Sequence, residues 1–207
     1  MKALLITYIY GVVYPIDEIA NLCFKNNIEI CEDVAEAYLG NSFTGSKRAA
    51  ISMFSFGQIK RCTAFAGSIC FIREPQLYEK MDKINENFRA QDKKAYFKKI
   101  LKFSIPFVVI NNKPANFLFC EVFRMLNLDL KEIIISKLRG FQPSSNYLSK
   151  FEYKPCTPNL RFLLHRLNTF DEKDYKEKIM KLETAVEFFI SNNLICPGYK
   201  FKERGFW

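Results

Sequence analysis

The first 31 residues place a helical pattern between two strand patterns, and this order constrains the fold more than any other feature of the chain. Residues 3 to 10 form a continuous apolar and β-branched run that ends at Gly11, which is typical of a strand buried on both faces. Residues 15 to 25 place apolar side chains on one helical face, and residues 28 to 31 form a short second strand. A strand, a helix and a strand in succession predict a βαβ unit with parallel strands.

The rest of the chain extends this unit and then becomes helical. Two more strands are predicted at residues 51 to 55 and 68 to 72. The helical patterns cover residues 76 to 89, 93 to 103, 105 to 139 with a break at 111 to 114, and one long stretch from 158 to the residues before Pro197. We therefore expect an α/β fold with a mainly parallel sheet and flanking helices, followed by a mostly helical C-terminal half.

The charge of the chain is strongly basic, with a formal net charge of +9. Lysines alternate with aromatic residues at positions 93 to 99, a composition that could bind nucleic acid or an anionic membrane surface. Acidic residues nearby dilute the basic run, so a solvated helix face is the favoured interpretation and no nucleic-acid partner is expected. The longest nearly uncharged apolar stretch, residues 103 to 111, is shorter than the ~20 residues of a membrane span. No transmembrane segment is expected.

The cysteines and the N-terminus indicate the compartment. The chain has seven cysteines, an odd number, and no CxxC pair, which favours buried, reduced thiols over a disulfide framework. The first residues lack the long apolar core and cleavage site of a secretory signal. We therefore expect a cytoplasmic protein.

Three residues at the predicted strand ends carry the candidate chemistry. Asp33 follows the second predicted strand, Ser55 ends the third, and Lys60 lies five residues further on. A lysine can form an imine with the aldehyde of pyridoxal phosphate, a hydroxyl can bind its phosphate, and a carboxylate can keep its pyridine nitrogen protonated. Because ligands of open α/β sheets bind at the carboxyl ends of the strands, the pattern predicts these groups at one edge of one sheet.

Each of these residues also has an ordinary structural explanation. Glu32 and Asp33 could cap a helix, with Glu36 completing a capping box. If the chain turns helically after the strand, Asp33 and Glu36 would instead lie on one face. Lys60 alone could be a surface lysine. The segment from Gly40 to Gly45 is a turn and lacks the strand-loop-helix context of a nucleotide site. The combined arrangement favours the cofactor interpretation.

Two motifs resemble a known family. The phrase IEIxEDxAEAxLG at residues 28 to 40 and the phrase FSFGxIKxxTAxxG at residues 54 to 67 look like those of the DegT/StrS-type sugar aminotransferases, fold-type I enzymes that use pyridoxal 5′-phosphate. The strong match covers about residues 3 to 85, and a weaker match continues from residue 153 to the end. Tyr8 stands where the family usually has a histidine, so the role of that histidine does not carry over.

The resemblance implies roles for four residues. Lys60 would be the catalytic Schiff-base lysine, and Asp33 the partner of the pyridine nitrogen. Ser55 would contact the phosphate, and Glu36 would lie near the cofactor ring. The resemblance further implies transfer of an amino group from an amino acid to a keto sugar attached to a nucleotide, by a homodimer with shared active sites. No metal is implied.

The resemblance also implies a division of the chain. Residues 1 to 85 would be a cofactor-binding α/β fragment of a large domain, residues 86 to 150 a helical insertion, and residues 151 to 207 a long helix leading into an incomplete small domain. Family members carry a phosphate-binding segment before the first strand, so the chain is expected to be truncated at both ends. The alternative is a catalytically inactive remnant or interaction module that lacks this segment.

Overall fold

A four-stranded sheet organises the N-terminal part of the protein. The computed structural model describes residues 3–126, 152–196, 199 and 203–204. The strands are β1 (Ala3–Thr7), β3 (Glu29–Asp33), β4 (Ile51–Ser55) and β5 (Ser68–Ile72), in the order β1-β3-β4-β5, while β2 (Val12–Val13) lies outside this sheet. β1, β3 and β4 run parallel, and β5 runs antiparallel to β4. The predicted mainly parallel sheet of an α/β fold is confirmed.

The predicted βαβ unit is also confirmed. Helix α1 (Asp17–Lys25) connects β1 to its parallel neighbour β3 and buries Ala20 and Cys23. Asp17 and Glu18 lie in the first turn of α1, and Lys25 lies in its last turn. Negative side chains at the N-terminus and a positive side chain at the C-terminus interact favourably with the helix dipole. Local sequence patterns therefore suffice to place this unit.

The prediction that the first strand is buried on both faces is wrong. β1 is the end strand of the four, and it stops at Thr7, before a single 3-10 turn at Ile9–Gly11. Ile6 is buried, whereas the side chain of Leu5 is 65% exposed. Because side chains alternate along a strand, only the face that carries Ile6 packs against the core within the described residues.

The core lies on that same face of the sheet. Ile6 of β1, Ile30 of β3 and Phe54 of β4 are buried there, together with residues from the segments that follow the strands. These residues are Val34, Ala37, Phe56, Cys62 and Ala64, and Leu163 of a C-terminal helix packs with them. Leu163 belongs to α5 (Thr157–Asn168), so a C-terminal helix completes the N-terminal core.

The chain divides into two compact units, one formed by Met1–Glu86 with Arg161–Trp207 and the other by Asn87–Leu160. The first unit contains the sheet, α1, α2 (Pro75–Glu86) and α6 (Glu172–Ser191). It also contains a short pair, in which β8 (Glu203–Arg204) runs antiparallel to β2. The predicted division at residues 85 and 150 stays a prediction, and residues 127–151 lie outside the described part of the chain.

The second unit contains a helical pair. α3 (Lys93–Asn111) begins at Asp92, whose side chain accepts hydrogen bonds from the N–H groups of Lys94 and Ala95. α4 (Lys113–Met125) begins at Asn112, whose side chain accepts from the N–H of Ala115. The break predicted at residues 111 to 114 is therefore confirmed. In the same unit, β6 (Arg89–Ala90) pairs in parallel with β7 (Tyr153–Lys154).

The long helical pattern predicted from residue 158 is interrupted. α5 ends at Asn168, and α6 begins after Asp171, whose carboxylate accepts hydrogen bonds from the N–H groups of Lys173 and Asp174. This cap satisfies donors at the start of α6, and it separates two helices that have compatible apolar periodicity. None of the helices within residues 3–126 and 152–196 has the length and apolar character needed to span a bilayer.

Candidate active site at the carboxyl edge of the sheet

Two of the predicted site residues end neighbouring parallel strands. Asp33 is the last residue of β3, and Ser55 is the last residue of β4. The strand register pairs Asp33 with Met53, so the side chains of Asp33, Met53 and Ser55 lie on the same face of the sheet. Lys60 lies in the loop that leaves this edge after β4. The fold thus places the three residues at one edge.

The Asp33 carboxylate is half-buried and is held by the backbone. Its Oδ1 accepts a hydrogen bond from the N–H of Ala35 at 3.0 Å. Within the described part of the chain, Oδ2 has no hydrogen-bond partner. One oxygen is therefore fixed by a local turn, while the other can accept a hydrogen bond from a ligand.

Both structural expectations for Glu36 are wrong, because residues 34 to 50 form turns and no helix. Glu36 neither completes a capping box nor lies on a helical face with Asp33. Its Oε2 accepts a hydrogen bond from the backbone N–H of Tyr10 at 2.9 Å. Tyr10 has a φ of 57°, a left-handed conformation that is strained for a residue with a side chain. Glu36 therefore ties the turn after β1 to the turn after β3.

The Ser55 hydroxyl is half-buried and open to a ligand. Its Oγ has no hydrogen-bond partner among the described residues. A Cβ placed on Gly57 would lie 3.7 Å from this oxygen, which is ordinary contact, so the space beside Ser55 is not filled by the loop. A hydroxyl in this position can donate to an anionic group of a ligand.

The loop that carries Lys60 is fixed by hydrogen bonds. The carbonyl oxygen of Gly57 accepts from the N–H of Lys60 at 3.2 Å and from the hydroxyl of Thr63 at 2.6 Å. Further along, the N–H of Ala64 donates to the carbonyl of Phe56 at 2.9 Å. Cys62 and Ala64 are buried, and burial raises the pKa of the Cys62 thiol. The half-buried Lys60 therefore belongs to a loop that is ordered by hydrogen bonds.

An ion pair next to Lys60 anchors this loop to α6. Arg61 Nη2 lies 3.1 Å from Asp174 Oδ2, and the guanidinium lies 4.5 Å from the centre of the Tyr175 ring. A hydrogen bond from Lys178, together with the positive charges of Lys178 and Arg61, lowers the pKa of Asp174. Sequence reasoning missed this contact, because the two partners are 113 residues apart and no local pattern joins them.

A buried carboxylate lies directly next to Asp33 in the chain. Glu32 is 1% exposed and belongs to the opposite face of β3. It accepts hydrogen bonds from the Tyr8 hydroxyl at 2.6 Å, the Ser46 N–H at 2.9 Å and the Ser52 hydroxyl at 2.5 Å. Three donors satisfy the buried charge and join two strands to the loop before β4.

Arg73 extends this network across the loop. Its guanidinium donates to Ser52 Oγ at 2.9 Å, to the carbonyl of Thr44 at 2.8 Å and to the carbonyl of Ala49 at 3.0 Å. The half-buried Arg73 side chain therefore links the turn at Thr44 to Ser52 of β4. Glu32 lies two residues after the buried Ile30 in β3, so the alternation of side chains along a strand would have predicted that Glu32 faces the core. The same pattern could not have predicted the hydrogen-bond donors to Glu32.

An apolar cavity among the described residues of the first unit lies on the face of the sheet opposite Asp33 and Ser55. Phe54, which alternates with Ser55 along β4, lines it together with Tyr38 and Phe71. Burial raises the pKa of the Tyr38 hydroxyl, which donates to Asn41 at 2.5 Å. The cavity is thus separate from the edge that holds the predicted site.

Comparison with known sequences identifies the family to which the chain belongs. A profile of the DegT/DnrJ/EryC1/StrS aminotransferase family matches residues 1–113, more than half of the 207-residue chain. The chain belongs to this family, and the predicted resemblance is confirmed.

Comparison with solved structures finds similarity to the crystal structure of an aminotransferase, TlmJ, from Streptoalloteichus hindustanus. The two chains are 24% identical over 43% of this chain and 25% of that chain, with a TM-score of 0.37. The match therefore spans about a quarter of the length of that aminotransferase. No curated protein matches the chain.

Proposed function

We propose that the chain is the cofactor-binding part of a pyridoxal-phosphate-dependent aminotransferase that acts on nucleotide-linked keto sugars. The main support for the proposal is the position of Asp33 and Ser55. They end adjacent parallel strands, their side chains lie on one face of the sheet, and the loop of Lys60 begins at the same edge. Membership of the aminotransferase family supports the same conclusion. In this proposal the sheet is part of a fold-type I large domain.

The donor set fits pyridoxal phosphate. Asp33 Oδ2 and Ser55 Oγ both have open hydrogen-bonding capacity, and they differ in what they can bind. A carboxylate attracts a protonated ring nitrogen, whereas a hydroxyl donates to a phosphate oxygen. The net charge of +9 favours the approach of an anionic cofactor and an anionic nucleotide-linked substrate.

Each residue would have a definite task. Pyridoxal phosphate, when bound, supplies an electron sink for the electrons released as a C–H bond of the amino donor breaks. Lys60 would hold the cofactor through a Schiff base at Nζ and later accept the proton from the α-carbon of the amino donor. Asp33 would hold a proton at the pyridine nitrogen, and Ser55 would bind the phosphate. Glu36, fixed by the Tyr10 N–H, would lie near the cofactor ring.

The remaining features of the proposal come from the family, except for the compartment, which rests on the cysteine content of the chain. The amino donor would be an amino acid, the active enzyme a homodimer and its compartment the cytoplasm. Residues 1 to 85 would bind the cofactor, residues 86 to 150 would form an insertion, and residues 151 to 207 would lead into a small domain. These assignments give the substrates to be tested once cofactor binding is established.

Equilibrium binding of pyridoxal phosphate to the purified chain, followed by absorbance, tests this proposal. Asp33→Asn and Ser55→Ala should each weaken binding about 10-fold to 100-fold, which corresponds to the loss of one charge-assisted hydrogen bond. Lys47→Ala, which changes an exposed lysine of the loop before β4, is the matched control and should bind like the unchanged chain.

Two results would count against the proposal. If the Asp33 and Ser55 variants bind as tightly as the Lys47 control, the cofactor does not use this edge. If a chain that is folded by circular dichroism binds no pyridoxal phosphate at all, the inactive remnant is the better interpretation.

A further inference from the structure

The outward side of α3 carries an apolar stripe. Phe97, Leu101 and Val108 are exposed, with Phe97 at 58%. Their spacing of four and seven residues places them on one side of the helix. Tyr96, only 1% exposed, anchors a different side of the same helix in the second unit. The stripe is therefore distinct from the face that stabilises the unit.

α4 carries a second stripe of the same kind. Leu118, Val122 and Met125 are exposed at a spacing of four and three residues, with Met125 at 80%. The two helices contact each other within the second unit. We refer to α3 and α4 together as the basic hairpin. Exposed side chains of this size on successive turns of two packed helices are typical of an interaction surface.

Positive charge accompanies the apolar stripes. Residues 93 to 126 contain seven lysines and arginines and a single acidic residue, Glu121. Lys94, Lys98 and Lys102 follow one another at intervals of four residues, so they form a row beside the stripe of α3. Among the described residues, none of these three lysines forms an ion pair. The sequence-based interpretation of a merely solvated face does not account for the adjacent apolar stripe.

We propose that the basic hairpin binds the surface of an anionic lipid bilayer. The lysines would pair with lipid phosphates and carboxylates, while the apolar stripes would enter the boundary between headgroups and hydrocarbon. A nucleic acid fits less well, because aliphatic side chains such as Leu101, Leu118 and Val122 gain nothing from phosphodiesters. The helices would lie along the surface, since no described helix is long and apolar enough to cross it.

Sedimentation of the full chain with lipid vesicles tests this inference. The chain should bind vesicles that contain phosphatidylserine and should bind much less to pure phosphatidylcholine, with a loss at high salt. The double variant Lys94→Gln/Lys98→Gln should lower the partition coefficient about 25-fold, because each lysine near an anionic surface contributes about fivefold. Phe97→Ser/Leu101→Ser should lower it at least about tenfold through lost apolar burial.

Matched controls make the same chemical changes elsewhere. Leu22→Ser/Phe24→Ser changes two exposed apolar residues of α1, and Lys176→Gln/Lys181→Gln changes two exposed lysines of α6. Both controls should bind vesicles like the unchanged chain. Thermal melting of every variant shows whether it is folded, and the lysine variants keep the test valid if an apolar variant fails to fold.

Three outcomes would overturn the inference. One is the absence of phosphatidylserine-dependent binding by a folded chain, and another is an equal loss in the control variants. The third is tighter binding to RNA or DNA than to vesicles, unchanged by Phe97→Ser/Leu101→Ser, which would assign the lysines to a nucleic acid. A concentration-dependent dimer that these two substitutions abolish, without vesicle binding, would assign the stripe to a second copy of the chain.

Discussion

Replacing Gly45 by alanine would place a methyl group inside the buried network of Glu32. Gly45 has a φ of +81°, and a Cβ at this position would lie 2.6 Å from Glu32 Oε2 and 2.6 Å from Ser52 Cβ. Both neighbours are buried, and each is held by hydrogen bonds on more than one side. The methyl group can therefore be accommodated only if the loop or the network moves.

The expected cost has two parts. A left-handed conformation costs an alanine about 1–2 kcal/mol. Displacing Ser52 from Glu32 breaks a hydrogen bond to a buried charge, which costs about 1.5–3 kcal/mol. Together these parts predict that Gly45→Ala lowers the free energy of unfolding by about 2.5–5 kcal/mol, a large fraction of the stability of an ordinary domain.

Gly40→Ala is the matched control, because it separates the cost of backbone strain from the cost of displacing Ser52 from Glu32. Gly40 also has a positive φ, +113°, but the nearest atom to its Cβ would be Phe170 Cε1 at 3.5 Å, an ordinary contact. This variant should therefore lose only about 1–2 kcal/mol from backbone strain. Urea unfolding followed by circular dichroism measures both variants. Equal losses in the two variants would show that Glu32 and Ser52 are not packed against Gly45.

Two further predictions concern hydrogen bonds at the edges of the sheet. Tyr8→Phe removes the donor to Glu32 and should lower the free energy of unfolding by about 1.5–3 kcal/mol, more than Tyr14→Phe, which removes a bond to a neutral carbonyl. Equal urea midpoints for the two variants would contradict a larger contribution from the hydrogen bond between Tyr8 and Glu32. A hydrogen bond from Lys178 lowers the pKa of Asp174 below the ordinary value of 3.8. The ionised Asp174 therefore contributes its full stabilisation above pH 3.8, and this stabilisation is lost as the pH falls through the lowered pKa. Asp174→Asn should therefore destabilise the chain at pH 7 and progressively less as the pH falls through the lowered pKa, and a difference independent of pH would refute this reasoning.

Local sequence patterns predicted the parts of the fold that local chemistry determines. Apolar runs and turn residues placed β1, α1 and β3, and the Asn-Asn-Lys-Pro segment placed the break before α4. Asp33 and Ser55 could be assigned to one edge because ligands of open α/β sheets bind at the carboxyl ends of the strands, and both residues end predicted strands.

The failures have a physical cause in common, because they depend on contacts between distant segments. Burial of both faces of β1 would require another segment to pack on each face, and the sequence of residues 3 to 10 does not determine whether such a segment is present. The ion pair of Arg61 with Asp174 depends on how α6 packs. No helix forms after Asp33, and Glu36 instead accepts a hydrogen bond from the backbone N–H of Tyr10, 26 residues earlier in the chain.

Borohydride reduction of the chain with pyridoxal phosphate, followed by peptide mapping, shows whether Lys60 binds the cofactor. Reduction makes the bond between a lysine and the cofactor permanent, so the modified lysine can be identified. One predominant labelled site, Lys60, is expected, and the label should be lost in Lys60→Ala but not in Lys47→Ala. Label spread evenly over exposed lysines, or unchanged in Lys60→Ala, would contradict the assignment of this edge as a cofactor site.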